Sequence, residues 1–270
     1  LQTGVQPDHA IADMIAARAI LAEPAVQQGQ IQPASLDLRL GQRAWRVRAS
    51  FLPGARATLA ERLPEFAMHE IDLTPGAVLE KGCVYLVPLM EALALSPDMS
   101  AVANAKSSTG RLDLFTRLIT DRGAEFDRVE PGYTGPLYAE ISPRSFSVLA
   151  RPGMRLNQIR FRRGQAALSD ADLHGLQARA GLVDGPAHID GGLGFSVDLD
   201  RPGAIIGYRA KPHTGLIDLD RIGFYRVADF WEPVQANRGH IILDPGAFYI
   251  LVSREAVHVP PECAAEMAPF

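Results

Sequence analysis

Glycine and proline recur along the whole 270-residue chain, 24 and 20 of them, and cut it into apolar segments of strand length. A helical bundle needs uninterrupted periodic runs of roughly ten residues or more. The punctuation therefore predicts a mainly β protein, a sandwich or barrel with few helices. Hydrophobic residues make up 47% of the chain and charged residues 21%, enough apolar surface for a real core.

Alternation with period two predicts strands at Ser35–Leu40, Trp45–Arg48, Ala77–Leu79, Val84–Val87, Leu93–Leu95, Leu114–Ile119, Gly135–Ser142, Phe146–Leu149 and Gln158–Phe161. Helical spacing of Ile11, Met14, Ile15 and Leu21 predicts a helix over about residues 8–22, with Asp8 capping its first turn. A second helix is expected at Ser169–Ala180, capped by Ser169 and joining two halves of the chain.

The chain also repeats itself. Tyr85–Lys106 (YLVPLMEALALSPDMSAVANAK) aligns without gaps on Tyr249–Phe270 (YILVSREAVHVPPECAAEMAPF) at an offset of 164. LTPGA at Leu73–Ala77 recurs as LDPGA at Leu243–Ala247, and SLDL at Ser35–Leu38 as SVDL at Ser196–Leu199. Three elements in one order imply a tandem duplication of one β-fold. The expected domains are 1–168, a complete first copy, and 169–270, a linker with an incomplete second copy. Because the second copy stops at Phe270, opposite Lys106, the later part of that copy is expected to be missing from the chain.

A formal charge of −4 argues against a protein that coats nucleic acid, and the cluster Arg160, Arg162 and Arg163 reads as a solvated strand end. No apolar run reaches the ~18 residues of a membrane span, and the N-terminus lacks the order of a signal peptide, so a cytoplasmic protein is expected. Cys83 and Cys263 lie far apart in apolar surroundings and read as core thiols, and no histidine pair has the i, i+4 spacing of a helix-borne metal site. Gly191–Gly194 reads as a flexible turn.

Chemistry concentrates in one stretch. Lys106-Ser107-Ser108-Thr109-Gly110-Arg111 sets two cations around three hydroxyls and a glycine, a composition suited to phosphate oxygens. Arg128–Gly135 follows as a Pro-Gly hairpin, then Pro136–Ile141, whose alternation sets Leu137, Ala139 and Ile141 on one face and Tyr138 and Glu140 on the other. Arg151–Ile159 adds another Pro-Gly turn and strand.

Taken in order, IQPASLDLRLG (Ile31–Gly41), KSSTGR (Lys106–Arg111), RVEPGYTGPLYAEI (Arg128–Ile141) and RPGMRLNQIRF (Arg151–Phe161) resemble the dCTP deaminase family of the wider dUTPase-like fold. The resemblance implies a distorted β-barrel or jelly roll that assembles as a homo-oligomer, usually a trimer with sites between subunits. A tandem copy could serve as a second subunit within one chain. It also implies conversion of dCTP to dUTP and ammonia without zinc, and the zinc-deaminase signature HxE…PCxxC is absent from the sequence.

By motif position Glu140 is the general base and acid, with Ser107, Arg111 and Arg128 as donors to the reacting base. Lys106 and Ser108 are expected on phosphate and Gln158 along the nucleotide. Tyr208 and Lys211 form the one cluster similar to the family's closing tail, and Mg²⁺ is expected to arrive on the triphosphate. Three positions depart from the pattern: Lys106 replaces an arginine, Gly110 replaces an alanine, and Thr120–Arg128 is longer than usual. Two other readings remain open. One is a dUTP pyrophosphatase or bifunctional enzyme using Asp121 or Asp127, and the other is a nucleotide-binding protein without catalysis.

Overall fold

The structure is a computed structural model that describes residues 3–200 and 203–267. Its elements begin with β1 (Gly4–Val5), α1 (Asp8–Ala16), β2 (Ile20–Ala22), β3 (Ile31–Gln32), β4 (Ser35–Arg39) and β5 (Arg43–Val47). Next come α2 (Leu59–Phe66), β6 (Ala67–Asp72), β7 (Ala77–Leu79), β8 (Val84–Ala94), β9 (Met99–Ala105) and the short turn α3 (Ser107–Gly110). Then follow β10 (Leu114–Thr120), β11 (Arg128–Val129), β12 (Thr134–Pro143), β13 (Val148–Ala150) and β14 (Arg155–Arg163). The rest comprises α4 (Asp170–Ala180), β15 (His188–Ile189), β16 (Leu193–Gly194), β17 (Ile205–Ala210), β18 (Ile217–Asp218), α5 (Val227–Phe230), β19 (Trp231–Gln235) and β20 (Tyr249–Leu251).

The chain forms two compact units, Leu1–Gln165 with Pro212–Tyr225, and Ala166–Lys211 with Arg226–Phe270. In the first, two sheets run β11-β9-β14-β4-β3 and β10-β12-β8-β5-β6. Leu36, Leu38, Ala103, Ile159 and Phe161 from one sheet meet Leu93, Leu118 and Leu137 from the other in a single core, with Ile11 of α1 packed in. This is the mainly β class that the punctuation predicts, in the jelly-roll-like form that the resemblance implies.

The second sheet is buried on its other face as well. Val47, Leu86 and Ile119 form a smaller core with Phe51 and Leu59, which come from the excursion between β5 and β6. Phe51 stacks on Phe66 with ring centroids 4.1 Å apart. The excursion holds a helix that the sequence reading missed, α2, although Thr58 and Glu61 make a capping box at its start. Pro64 inside the segment hid it.

Other expectations need correction. The first helix ends at Ala16, not at 22: Arg18 turns left-handed (φ 60°), and the N–H groups of Ala19 and Arg18 bond the carbonyls of Met14 and Ile15. This C-terminal cap releases Ile20–Ala22 to pair with β8. Pro7 is the N-cap residue and Asp8 lies within the first turn. The two short strands expected around Pro88 are one, β8, because β12 is irregular opposite the proline and Pro88 contributes its carbonyl to Gly41 N–H. Cys83 and Cys263 are half-buried free thiols.

The second unit reproduces part of the pairing of the first, with β19-β17-β20 corresponding to β6-β5-β8. Arg46 faces Tyr85 across β5 and β8, with its guanidinium 5.7 Å from the ring, and Arg209 faces Tyr249 across β17 and β20 at 5.9 Å. The Tyr85 hydroxyl accepts from Glu80 N–H at 2.9 Å, and the Tyr249 hydroxyl from Asp244 N–H at 3.1 Å. Ile20 pairs with Leu93, and Val183 bridges Val257. Hence α4, expected as part of a linker, stands where α1 stands in the first copy, with Gly181 left-handed where Arg18 is. The end of the repeat, Phe270 opposite Lys106, lies outside the described residues.

Residues Pro212–Tyr225 belong to the first unit, where β18 runs parallel to β13. Arg151 clamps this segment by donating to Asp218 at 2.7 and 3.0 Å and to Asp220 at 2.8 Å. The Arg151 guanidinium holds the Asp218 carboxyl below its ordinary range. A carboxyl depressed in the folded state stabilises above its unfolded pKa of about 3.9 and loses that contribution as pH falls through the folded value. The clamp is therefore intact at neutral pH. Amide exchange at Ile217, whose N–H bonds Ser147 O at 3.1 Å, is expected to gain extra exposure below about pH 4, and R151A should abolish that pH dependence. An acid response identical in R151A and parent would refute the assignment.

Candidate active site

The register of β12 sets Glu140 between Arg117 of β10 and Leu86 of β8. Glu140 shares the face of Tyr138, and the excursion after β5 covers that face. Its side chain is consequently buried, with a residue exposure of 3%. An ionised carboxylate there needs a partner, since an unpaired buried charge costs several kcal/mol. Arg117 provides it: Nη2 and Nε donate to Glu140 Oε1 at 2.5 and 3.2 Å. Nη2 also donates to Ser50 Oγ at 2.8 Å, and the guanidinium lies over the Phe126 ring at 3.5 Å and the Phe115 ring at 4.9 Å.

The hydroxyl motif lies where β9 ends. Lys106 is extended, its N–H bonds Leu156 O at 2.9 Å, and its ammonium is ion-paired with the buried carboxylate of Asp37. Ser107 and Ser108 are exposed on α3, and Arg111 is exposed just after it. Asp113 closes the turn in a left-handed conformation (φ 52°). Its carboxylate accepts from Ser145 Oγ at 2.7 Å and its carbonyl from Arg144 N–H at 2.9 Å, which ties the motif to the corner after β12. Burial pushes the Asp113 carboxyl above its ordinary value.

The long hairpin between β10 and β11 bounds a cavity of about 450 Å³, lined by Asp121, Arg122, Arg128, Glu130 and Tyr133 among others. Arg128 is exposed and ion-paired with Glu125 at 3.3 Å and Glu130 at 2.8 Å. The Tyr133 hydroxyl donates to Pro136 O at 2.6 Å and accepts from Asp121 N–H at 3.1 Å, and burial lifts its pKa to about 12. Both hairpin aspartates hold backbone: Asp121 accepts from Leu59 N–H at 2.8 Å and Asp127 from Leu118 N–H at 2.7 Å.

Gln158 faces Asp37 and Asn104 on the outer side of the first sheet and accepts from Ser35 Oγ at 3.2 Å. Arg160, expected to be solvated, is half-buried there and donates to Asn104 Oδ1 at 3.0 Å. Tyr208 and Lys211 do not have a tail's surroundings. Tyr208 sits in β17, paired on both sides, and Lys211 Nζ donates to Ala228 O at 2.6 Å in the second unit.

Within one chain, Glu140 thus meets Arg117, and Lys106 meets Asp37. No hydrogen bond or ion pair joins Glu140 to Ser107, Arg111 or Arg128 among the described residues. Arg117 and Asp37 were missed from the sequence, although each is a charge flanked by apolar residues within a predicted strand, in LFTRLIT and SLDLR, and that anomaly was the available signal. Among the described residues no group of three or more His, Cys, Asp or Glu side chains is arranged to hold a metal ion.

Residues 2–165 match the family model described as the 2'-deoxycytidine 5'-triphosphate deaminase (DCD) N-terminal domain, and residues 169–270 match the C-terminal domain of the same family. This chain belongs to the dCTP deaminase family. A dCTP deaminase of Halorubrum lacusprofundi is 32% identical over 159 residues, 57% of this chain and 74% of the relative. A "dCTP deaminase, dUMP-forming" of Coprothermobacter proteolyticus is 30% identical over 155 residues, 57% of this chain and 79% of that one. The crystal structure of 2'-deoxycytidine 5'-triphosphate deaminase from Agrobacterium tumefaciens superposes with a TM-score of 0.92 at 52% identity, over 97% of this chain and 79% of that one. The N-terminal domain model, over residues 2–165, spans Glu140, Arg117 and the hydroxyl motif.

Proposed function

We propose that the chain hydrolyses dCTP to dUTP and ammonia, with Glu140 as the general base and acid. The observation that carries this reading is a carboxylate buried on β12 and held by Arg117, in a chain whose dCTP deaminase domain spans residues 2–165. Water adds at C4 of cytosine while Glu140 takes one of its protons and passes it to N3; Glu140 then takes the proton of the new C4 hydroxyl and gives it to the amine, so that the C4–N bond breaks and ammonia departs as the C4 carbonyl forms. Ser107, Arg111 and Arg128 donate to the charge that develops on the intermediate. Ser108, Lys106 and Gln158 hold the nucleotide, and Mg²⁺ arrives with the triphosphate as part of the substrate. No zinc is required in this scheme.

Lys106 in place of arginine gives a point contact in place of a planar fork, and its ammonium must be shared with Asp37. Because among the described residues Glu140 makes no bond to Ser107, Arg111 or Arg128 in one chain, the reading has copies of the chain meet in a homo-oligomer to complete the site. Relatives named as dUMP-forming favour a second reading in which dUTP is hydrolysed further. The hairpin aspartates speak against it, since both already accept from backbone N–H groups.

Incubating the chain with dCTP, Mg²⁺ and a zinc chelator tests both. Equal yields of dUTP and ammonia are expected. Diphosphate and dUMP would establish the second reading, and tight nucleotide binding without any product would point to a binding protein.

A further inference from the structure

We infer that Arg117 is a positioning residue that orients the Glu140 carboxylate and couples it to the long hairpin; this rests on the reading of Glu140 as the base. Both Arg117 bonds end on one oxygen, Oε1, and no protein group bonds Oε2 among the described residues. The carboxylate is thus tethered by one oxygen, and the other is left to take a proton from water. Arg117 in turn has little freedom. Ser50 takes its Nη2, and Phe126 and Phe115 lie against the guanidinium at 3.5 and 4.9 Å, contacts in which the ring faces attract the cation.

Phe126 belongs to the same hairpin segment, Thr120–Arg128, that bounds the cavity beside Arg128. A nucleotide that shifts this hairpin therefore acts on the stack over Arg117 and, through the planar fork, on the direction in which Glu140 Oε2 faces. A lysine in its place would keep the charge needed to bury Glu140 but lose both the fork and the stack. Charge neutralisation alone and orientation of the carboxylate consequently predict different behaviour for that one variant.

The experiment compares the parent, R117K, E140Q and the double variant R117K/E140Q for ammonia release from dCTP, with thermal melting as the control for folding. R117K is expected to melt like the parent and keep KM within about threefold, while kcat falls about tenfold to a hundredfold, the scale of a misplaced reacting group. In the E140Q background the same substitution should change the residual rate less than twofold, because its effect passes through the carboxylate. An R117K rate within twofold of an active parent would overturn the inference and leave the deaminase reading standing. An equal loss in both backgrounds would also overturn it, since the defect would then lie in hairpin packing. If the parent releases no ammonia, the reading fails and the inference with it.

Discussion

Replacing Glu140 with glutamine is expected to lower kcat for ammonia release from dCTP by about 10²–10⁴-fold, the usual contribution of a positioned proton-transfer group, while KM stays within a few-fold. Glutamine fills the same volume on β12, and its amide oxygen still accepts from Arg117, so the buried site keeps its packing and its hydrogen bonds. What disappears is the capacity to take a proton from water. Steady-state kinetics together with binding of dCTP to the variant check this. Turnover like the parent's would remove Glu140 from the mechanism, and loss of nucleotide binding would mean that the carboxylate holds substrate and does not move protons.

The largest effect on stability is expected from a different carboxylate. Glu91 and Arg39 form an ion pair at 2.7 Å with both side chains fully buried. Glu91 also accepts from Arg39 N–H at 2.8 Å and Gln30 Nε2 at 2.7 Å, while Arg39 donates to the carbonyls of Ala25 and Pro24 at 3.1 and 2.6 Å. Cutting Glu91 back to alanine removes three hydrogen bonds, leaving Arg39 N–H and Nε without an acceptor and Gln30 Nε2 with only Asp37 O, and strands a guanidinium without a counter-ion in the interior. The expected cost is about 3–5 kcal/mol, a fall in Tm of roughly 10 °C for a unit of this size. The double variant R39M/E91L removes both charges together and should recover most of that loss, because replacing a buried pair by apolar groups is often close to neutral. Scanning calorimetry of the two variants decides it. A single variant that melts within a degree or two of the parent would show that water reaches Arg39.

Much of the fold is legible because strand alternation is a local signal. The expected strands at Ser35–Leu40, Leu114–Ile119 and Gly135–Ser142 lie within a residue or two of β4, β10 and β12. Part of the tandem copy was visible as well, since the tyrosine that accepts from the N–H group five residues upstream is kept in both halves, but the match of SVDL to SLDL was out of register: Asp198 N–H bonds Val252 O as Gly41 N–H bonds Pro88 O, and Val197 bridges Ser253 as Leu40 bridges Leu89. The overlong first helix shows where local reading ends. Leu21 continued the helical spacing, but a backbone cap at Arg18 and pairing with β8 decided its state, and neither is written in apolar periodicity. In the same way α4 carries a clear capping box, yet its place as the counterpart of α1 emerges only from the pairings that follow it.

The candidate site divides along the same line. By itself the sequence determined the mainly β class, the duplication, the order of the four motifs and the placing of Glu140 on a strand face opposite Leu137. Alternation separates two faces but does not say which is wet. Tertiary structure buried the face of Glu140 by laying Phe51 and Leu59 of a distant excursion beside Leu86 and Ile119, and it chose Arg117 as the partner through strand register. It also gave Lys106 to Asp37, 69 positions away. The physical reason is the same in each case: charge pairing and desolvation depend on which segments meet in space, and those meetings are set by the packing of the whole chain.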